Sequence, residues 1–326
     1  MLNSNNNIIF FEVFEEEKNA ISKFLPNDIN ATFHQNTIQE TCKFKDIKLE
    51  KNTIISIRTQ SIIPEKWSSK ISAILTRSTG YDHLNSFKNN HKKILYGYLP
   101  NYCARSVAEH AFLMCLALMR RLPEQINKFD TFERDGLTGF EISGKNLLLV
   151  GIGNIGIEIY KISKSMGFNV DGIDLIENFE DVNYIKKDND IKKYDVIICA
   201  MDLNESNYSY FNDNFFKRVK KGSLFINISR GEIAPVSILN KYLNNETLSG
   251  VALDVFDTES SLAVSLRNRE EDEDTKLIME IKKHPNVILT PHNAFNTHET
   301  VLRKAKNTIE QIQSLIEKGK FIWEVP

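Results

Sequence analysis

Lys145-Asn-Leu-Leu-Leu-Val-Gly151-Ile-Gly153-Asn-Ile-Gly156 runs an apolar stretch straight into three glycines spaced G-x-G-x-x-G, and Gly172-Ile-Asp174 follows soon after. This spacing predicts a strand, a tight turn and a helix whose N-terminus faces phosphate. Gly151 allows the turn, Gly153 lets the backbone approach a pyrophosphate, and Gly156 lets the helix pack closely on the strand. The helix, read over Ile157–Met166, aims its free N–H groups and positive dipole end at the phosphates. A second strand at Asn169–Ile173 ends in Asp174, placed to accept hydrogen bonds from the adenosine ribose hydroxyls. Leu175 and Ile176 bring no cation for a 2′-phosphate, so NAD is expected rather than NADP. The expected cofactor contacts here are Gly151, Gly153, Asn154, Ile155, Gly156 and Asp174.

Outward from the motif, strands recur at Val196–Ala200, Ser223–Ile228, Gly250–Val255 and Val287–Leu289, with helical stretches between most of them. That is the rhythm of a doubly wound parallel sheet. Upstream, Ile8–Val13, Ala31–His34, Thr53–Ile57 and Ile74–Thr76 read as short strands of a smaller α/β unit. Ser106–Arg121 is almost continuously apolar and long enough for a buried helix joining two domains. The amphipathic tail Glu299–Lys318 follows the last strand and is expected to return to the first unit. The expected domains are therefore 1–101 with 296–326, and 102–295. The charged run Arg267–Asp274 reads as a solvated loop.

The chain has 326 residues, 41% hydrophobic and 26% charged, with a formal net charge of -2. That balance supplies no field to hold nucleic acid or an anionic membrane. The longest apolar run, Ala111–Met119, is too short to span a bilayer, and the opening Met1–Asn7 lacks a basic leader region. A cytoplasmic protein is expected. Cys42, Cys103, Cys115 and Cys199 show no C-x-x-C spacing; Cys115 and Cys199 lie in apolar runs, which favours buried thiols. No metal site is expected.

In an open α/β sheet, ligands gather beyond the carboxyl ends of the strands. Three polar residues or groups stand there. Leu224-Phe-Ile-Asn-Ile228 ends in Ser229-Arg230-Gly231, Val251-Ala-Leu-Asp-Val-Phe256 leads to Asp257-Thr-Glu259, and Val287-Ile-Leu-Thr-Pro291 ends in His292. Reducing a 2-keto acid requires a cation for its carboxylate and ketone, and an acid for the ketone oxygen. Arg230 offers a fixed fork of donors, and His292 offers an imidazole, the side chain suited to acid–base work near neutral pH. Glu259 would hold the imidazole and favour its protonated form. Asp257 and Glu299 are nearby acids that could take the same part.

Together these segments make the chain similar to the D-isomer-specific 2-hydroxyacid dehydrogenases. The likeness rests on the glycine motif with Asp174, on Asn227-Ile-Ser-Arg230-Gly231, on Gly250 through Glu259, and on Thr290-Pro-His292-Asn-Ala-Phe295. It implies two Rossmann-like domains, a flavodoxin-like substrate domain and a doubly wound NAD-binding domain, with the active site in the cleft and a dimer formed through the NAD-binding domains. By the same likeness Arg230, Glu259 and His292 are catalytic and Asp254 contacts the nicotinamide carboxamide. Arg77-Ser-Thr79-Gly80 matches the family's carboxylate-binding loop, in which backbone N–H groups like those of Thr79 and Gly80 act. Pro100-Asn-Tyr102, Val107-Ala-Glu109-His and His292 to Thr297 look most like the D-lactate dehydrogenase branch, where residues matching Tyr102 and Phe295 line a small pocket. The implied reaction is NAD-dependent interconversion of a short 2-keto acid, pyruvate first, and its D-2-hydroxy acid. Glyoxylate or hydroxypyruvate reductase, phosphoglycerate dehydrogenase and phosphite dehydrogenase are the enzyme alternatives; an NADH-sensing corepressor-like protein is the alternative without turnover. The chain departs from the family pattern at Asp202, where a proline is usual.

Overall fold

The computed structural model describes residues 7–326, so nearly all of the opening stretch inspected for a leader lies outside the described residues. The chain divides into two units, Met1–Cys103 with Asn296–Pro326, and Ala104–Phe295. The division falls two residues beyond the expected one and puts Tyr102 with the first unit. Among the described residues no helix is long and apolar enough to cross a membrane.

The first unit is built from β1 (Asn7–Phe10), α1 (Glu15–Phe24), β2 (Asn30–Phe33), α2 (Ile38–Phe44), β3 (Thr53–Ile57), β4 (Ile71–Thr76), α3 (Asn85–Asn90) and β5 (Leu95–Gly97). Its sheet is parallel in the order β2-β1-β3-β4-β5, the flavodoxin-like winding. Every residue of β3 is buried, as expected of a strand covered on both faces. β1 stops at Phe10 rather than Val13 because Glu12 adopts φ 58°. The Glu12 carboxylate then accepts the N–H groups of Arg58, Gln60 and Ser61 at 3.0 to 3.1 Å, tying the end of β1 to the loop after β3. β5, three residues long, is too short to have been read from alternation.

The second unit begins with α4 (Ala104–Met119) and α5 (Leu122–Asn127), followed by β6 (Asn146–Val150), α6 (Asn154–Ser165), β7 (Asn169–Ile173), β8 (Asn183–Tyr184), β9 (Val196–Cys199) and α7 (Asp213–Phe216). It continues with β10 (Ser223–Asn227), α8 (Val236–Asn244), β11 (Leu248–Leu253), α9 (Glu259–Asn268), α10 (Glu273–Ile281) and β12 (Val287–Leu289). The seven strands are parallel in the order β12-β11-β10-β9-β6-β7-β8, a doubly wound sheet. Register fixes one level across six of them: Val150 pairs with Ile173 and Cys199, Asn227 with Cys199 and Leu253, and Leu253 with Leu289. Whatever follows those residues therefore emerges along one edge.

The charged run Arg267–Asp274 is not the solvated loop expected of it. α9 carries its first two residues and α10 its last two, and Asp272 caps α10 by accepting the Thr275 N–H at 2.7 Å in a capping box. Charge alone misleads here, because Glu and Arg are good helix formers and Asp a good cap. The chain ends in α11 (His298–Lys318), capped by Thr297 and closed by Gly319, which returns to the first unit against α1.

Candidate active site

The cofactor end is shaped by backbone. Gly151 sits at φ 97°, and a Cβ on Gly156 would lie 2.1 Å from the Gly151 carbonyl oxygen, so only glycine lets α6 start this close to β6. A Cβ on Gly153 would meet nothing within 4 Å, leaving open space above the turn. α6 begins at Asn154 with no side-chain cap from Gly153, so the amino end of the helix faces the turn with its positive dipole end. Asp174 accepts the N–H groups of Ile152 and Ile176, which fixes its carboxylate at the end of β7 with acceptor capacity left over. Leu175 and Ile176 beside it are exposed. This cradle fits a dinucleotide: open room at the turn, a helix amino end for a pyrophosphate, and a carboxylate placed for ribose hydroxyls.

Three loops at the same sheet edge carry Arg230, Glu259 and His292, the side chains expected to be catalytic. His292 stands three residues beyond β12 with φ 50°, in the left-handed region that a branched or bulky residue seldom adopts. The strain is held by Asp254, which follows β11 directly and is 1% exposed. Its carboxylate accepts Thr290 Oγ1 at 2.6 Å, Asn293 N at 2.8 Å and Ala294 N at 2.9 Å, donors on both sides of His292. His292 Nδ1 meets Glu259 Oε1 at 2.7 Å, with the two side chains 20% and 17% exposed. A carboxylate only accepts, so Nδ1 carries the hydrogen and Nε2 is left for substrate. Glu259 opens α9, where the helix dipole favours its negative charge.

Of the other acids considered, Asp257 accepts the Val236 N–H, and burial pushes its carboxyl up. Glu299 belongs to the first turn of α11, where backbone and Thr297 hydrogen bonds hold it below the usual range. Neither contacts the imidazole. Arg230 lies three residues beyond β10, and its loop is braced by Asn227, fully buried, which donates to the Arg230 carbonyl at 2.9 Å and accepts the Ser229 N–H at 3.1 Å. A Cβ on Gly231 would fall 1.8 Å from the Phe256 carbonyl carbon, so the Arg230 loop packs directly on the segment leading to Glu259.

Residues 112–294 match the family model described as D-isomer specific 2-hydroxyacid dehydrogenase, NAD binding domain. The chain belongs to that family. It is an NAD-dependent enzyme of the D-2-hydroxyacid dehydrogenase type. A D-lactate dehydrogenase of Staphylococcus epidermidis is 26% identical over 265 residues, 79% of this chain and 80% of that one. The structure of D-lactate dehydrogenase from Aquifex aeolicus complexed with NAD and lactic acid superposes with a TM-score of 0.85 at 25% identity, covering 97% of this chain and 99% of that one. D-2-hydroxyisocaproate dehydrogenase shares the fold at a TM-score of 0.81 and 22% identity, over 98% and 99% of the two chains.

The remaining residues singled out in this dehydrogenase divide between the units. Phe295 is a buried side chain of the second unit, with its carbonyl accepting from Ser106 Oγ at 3.3 Å. Tyr102 is buried in the first unit, its hydroxyl donating to the Arg77 carbonyl at 3.4 Å. Thr79 and Gly80 are half-buried in the turn after β4, and no protein acceptor takes either N–H. Asp202, at the departure from the family pattern, is exposed, and its carbonyl accepts Asn207 Nδ2 at 2.7 Å, so the loop closes on itself without the proline. Sequence reading assigned no role to Asn227 or His110. The second sits on α4 with Nε2 3.2 Å from Thr290 Oγ1 and 3.8 Å from Asp254 Oδ1, beneath the His292 loop. Asn227 did carry a signal, a lone amide at the end of an otherwise apolar strand; His110, on a long apolar helix, carried none of its own.

Proposed function

We propose that this enzyme reduces pyruvate, or a 2-keto acid of similar size, to the D-2-hydroxy acid and also catalyses the reverse reaction, as a cytoplasmic homodimer. The observation carrying the chemistry is the 2.7 Å contact between His292 and Glu259 on a loop pinned by Asp254. Gly151, Gly153, Asn154, Ile155 and Gly156 would hold the NAD pyrophosphate, with Asp174 on the adenosine ribose. NAD, when bound, supplies or accepts the hydride. During reduction His292 Nε2 donates a proton to the ketone oxygen, and Glu259 offsets the charge of the imidazolium. In the reverse direction neutral His292 takes the hydroxyl proton. Arg230 holds carboxylate and ketone through its guanidinium fork, and the untaken N–H groups of Thr79 and Gly80 bind the carboxylate. Tyr102 and Phe295, both large and buried, favour a short substrate side chain. Asp254, which the family likeness assigns to the carboxamide, acts in this geometry first as the anchor of the His292 loop.

The dimer reading rests on Leu113, Ile126, Phe129, Phe132 and Phe140, which expose more than half of their surface in one stretch of the second unit. Apolar side chains gathered in this way mark an interface. Free cysteines suit a reducing compartment. NADH oxidation with pyruvate, glyoxylate, hydroxypyruvate and longer 2-keto acids tests the substrate reading. The highest kcat/KM is expected with pyruvate. A preference for a long or branched 2-keto acid, or NADH binding with no turnover of any, overturns it.

A further inference from the structure

The core of the first unit holds a charge cluster that the chemistry above does not use. Glu17 on α1 meets Lys304 Nζ of α11 at 2.7 Å and Arg77 Nε at 3.0 Å, and all three side chains are sealed from solvent. Arg77 directs its other donors to Ser56 Oγ at 3.0 Å and the Phe11 carbonyl at 2.7 Å. Arg58, after β3, adds a further positive charge facing Glu17 and Lys304. One carboxylate is thus shared among several cations, and the cluster gains one further positive charge whenever Lys304 is protonated.

The cluster connects to the turn after β4. Lys304 Nζ lies 5.9 Å from the centre of the Tyr102 ring, whose hydroxyl donates to the Arg77 carbonyl. Cys103, next along the chain, contacts Thr79 Oγ1 at 3.5 Å. Beyond it stand the untaken N–H groups of Thr79 and Gly80. An anion there would balance the excess positive charge.

We propose that Lys304 is a positioning residue for the 2-keto acid: its buried charge, held on Glu17, draws the substrate carboxylate to Thr79 and Gly80. Substrate binding and Lys304 protonation then favour one another. The inference rests on the reading of Thr79 and Gly80 as carboxylate donors. Burial pulls the Lys304 ammonium down to about 7, only partly opposed by the charge of Glu17, so both of its forms exist near neutral pH. The other groups facing it do not change there. Burial raises the Glu17 carboxyl, but Arg77, Lys304 and Arg58 outweigh that and hold it at about 2. Burial pushes the Tyr102 hydroxyl and the Cys103 thiol up.

The test titrates oxamate, the amide analogue of pyruvate that resists reduction, into the NADH-bound parent and Lys304→Met enzymes from pH 6 to 9. His292 is common to both, so the ratio of their dissociation constants isolates Lys304. One charge acting over about 10 Å at an effective dielectric near 20 is worth about tenfold in anion affinity. The expected ratio is therefore about tenfold at pH 6, falling towards one at pH 9, with KM for pyruvate raised similarly and kcat within about threefold. A ratio that is one throughout, or that does not vary with pH, overturns the proposal, as does a loss confined to kcat. Methionine leaves the Glu17–Arg77 pair in place; should that variant fail to fold, Lys304→Gln, which removes the same charge and keeps a donor for Glu17, gives the same readout. If the parent itself neither binds oxamate nor turns over a 2-keto acid, the site reading falls and this inference with it. If the parent does both and the ratio is flat, only the inference falls.

Discussion

Glu17 and Glu259 each hold a basic nitrogen at 2.7 Å, Lys304 Nζ in the first unit and His292 Nδ1 in the second, yet the two pairs have different chemical lives. Both partners of the first are fully buried, while those of the second keep about a fifth of their surface. Sealing an ion costs several kcal/mol, so the first pair is stable only because Arg77 and neighbouring dipoles compensate it. No reactant reaches it. The second pair pays a smaller desolvation penalty and keeps some exposure, which suits the acid–base role proposed for His292. Equal distances therefore say little about role; depth and the free lone pair or proton decide it.

The sharpest way to break the comparison is His292→Gln. Removing the proton donor should lower kcat by roughly two to four orders of magnitude, with NADH affinity within about twofold. Stopped-flow reduction and a fluorescence titration with NADH check both halves. Loss of NADH binding with the fold intact would take His292 out of the acid–base role.

Neutralising the two glutamates separates the pairs. Glu17→Gln leaves two buried cations short of their carboxylate and should destabilise the first unit by about 3–5 kcal/mol, read by denaturant unfolding. Glu259→Gln should instead lower kcat by roughly ten- to a hundredfold and leave unfolding nearly unchanged, since partly exposed pairs contribute under about 1 kcal/mol. The reverse pattern, activity lost with Glu17 and stability with Glu259, would show that depth does not sort them.

How far the sequence discloses these pairs follows from the kind of signal each leaves. Arg230, Glu259 and His292 were legible because parallel strands end on one edge, so polar residues just past apolar runs converge whatever the details of packing. The glycine turn was legible for a similar reason: close approaches such as Gly156 on Gly151 leave a fixed spacing. Glu17 was not. It sits between exposed Glu16 and exposed Lys18, and only packing against α11, far along the chain, buries it. Lys304 did leave a trace, since it shares the buried face of α11 with Val301, Ala305, Thr308 and Ile312, but a lysine on that face is ordinarily read as snorkelling to water. His110 and Asn227 likewise matter through loops whose shape no periodicity encodes.

Lys304→Met sharpens the comparison most finely, through the pH dependence of stability rather than its size. The unfolded chain keeps Lys304 protonated up to its ordinary value near 10.5, whereas burial in the folded protein brings it down to about 7. Between those limits the unfolded state binds the extra proton, so this group makes the folded parent more stable as pH rises, by about 1.4 kcal/mol per pH unit. Below pH 7 the penalty is fully present. Methionine removes that slope and leaves every other titration in place. Urea unfolding of both proteins at pH 7, 8 and 9 should show the variant's advantage shrinking, or its deficit growing, by about 1.0 kcal/mol over the first step and about 1.3 kcal/mol over the second. Parallel curves would mean that Lys304 keeps its proton throughout, held by Glu17 strongly enough to defeat burial. In that case the sealed pair would be a permanent charge, and the contrast with the proton exchange proposed for His292 would be one of chemistry as well as depth.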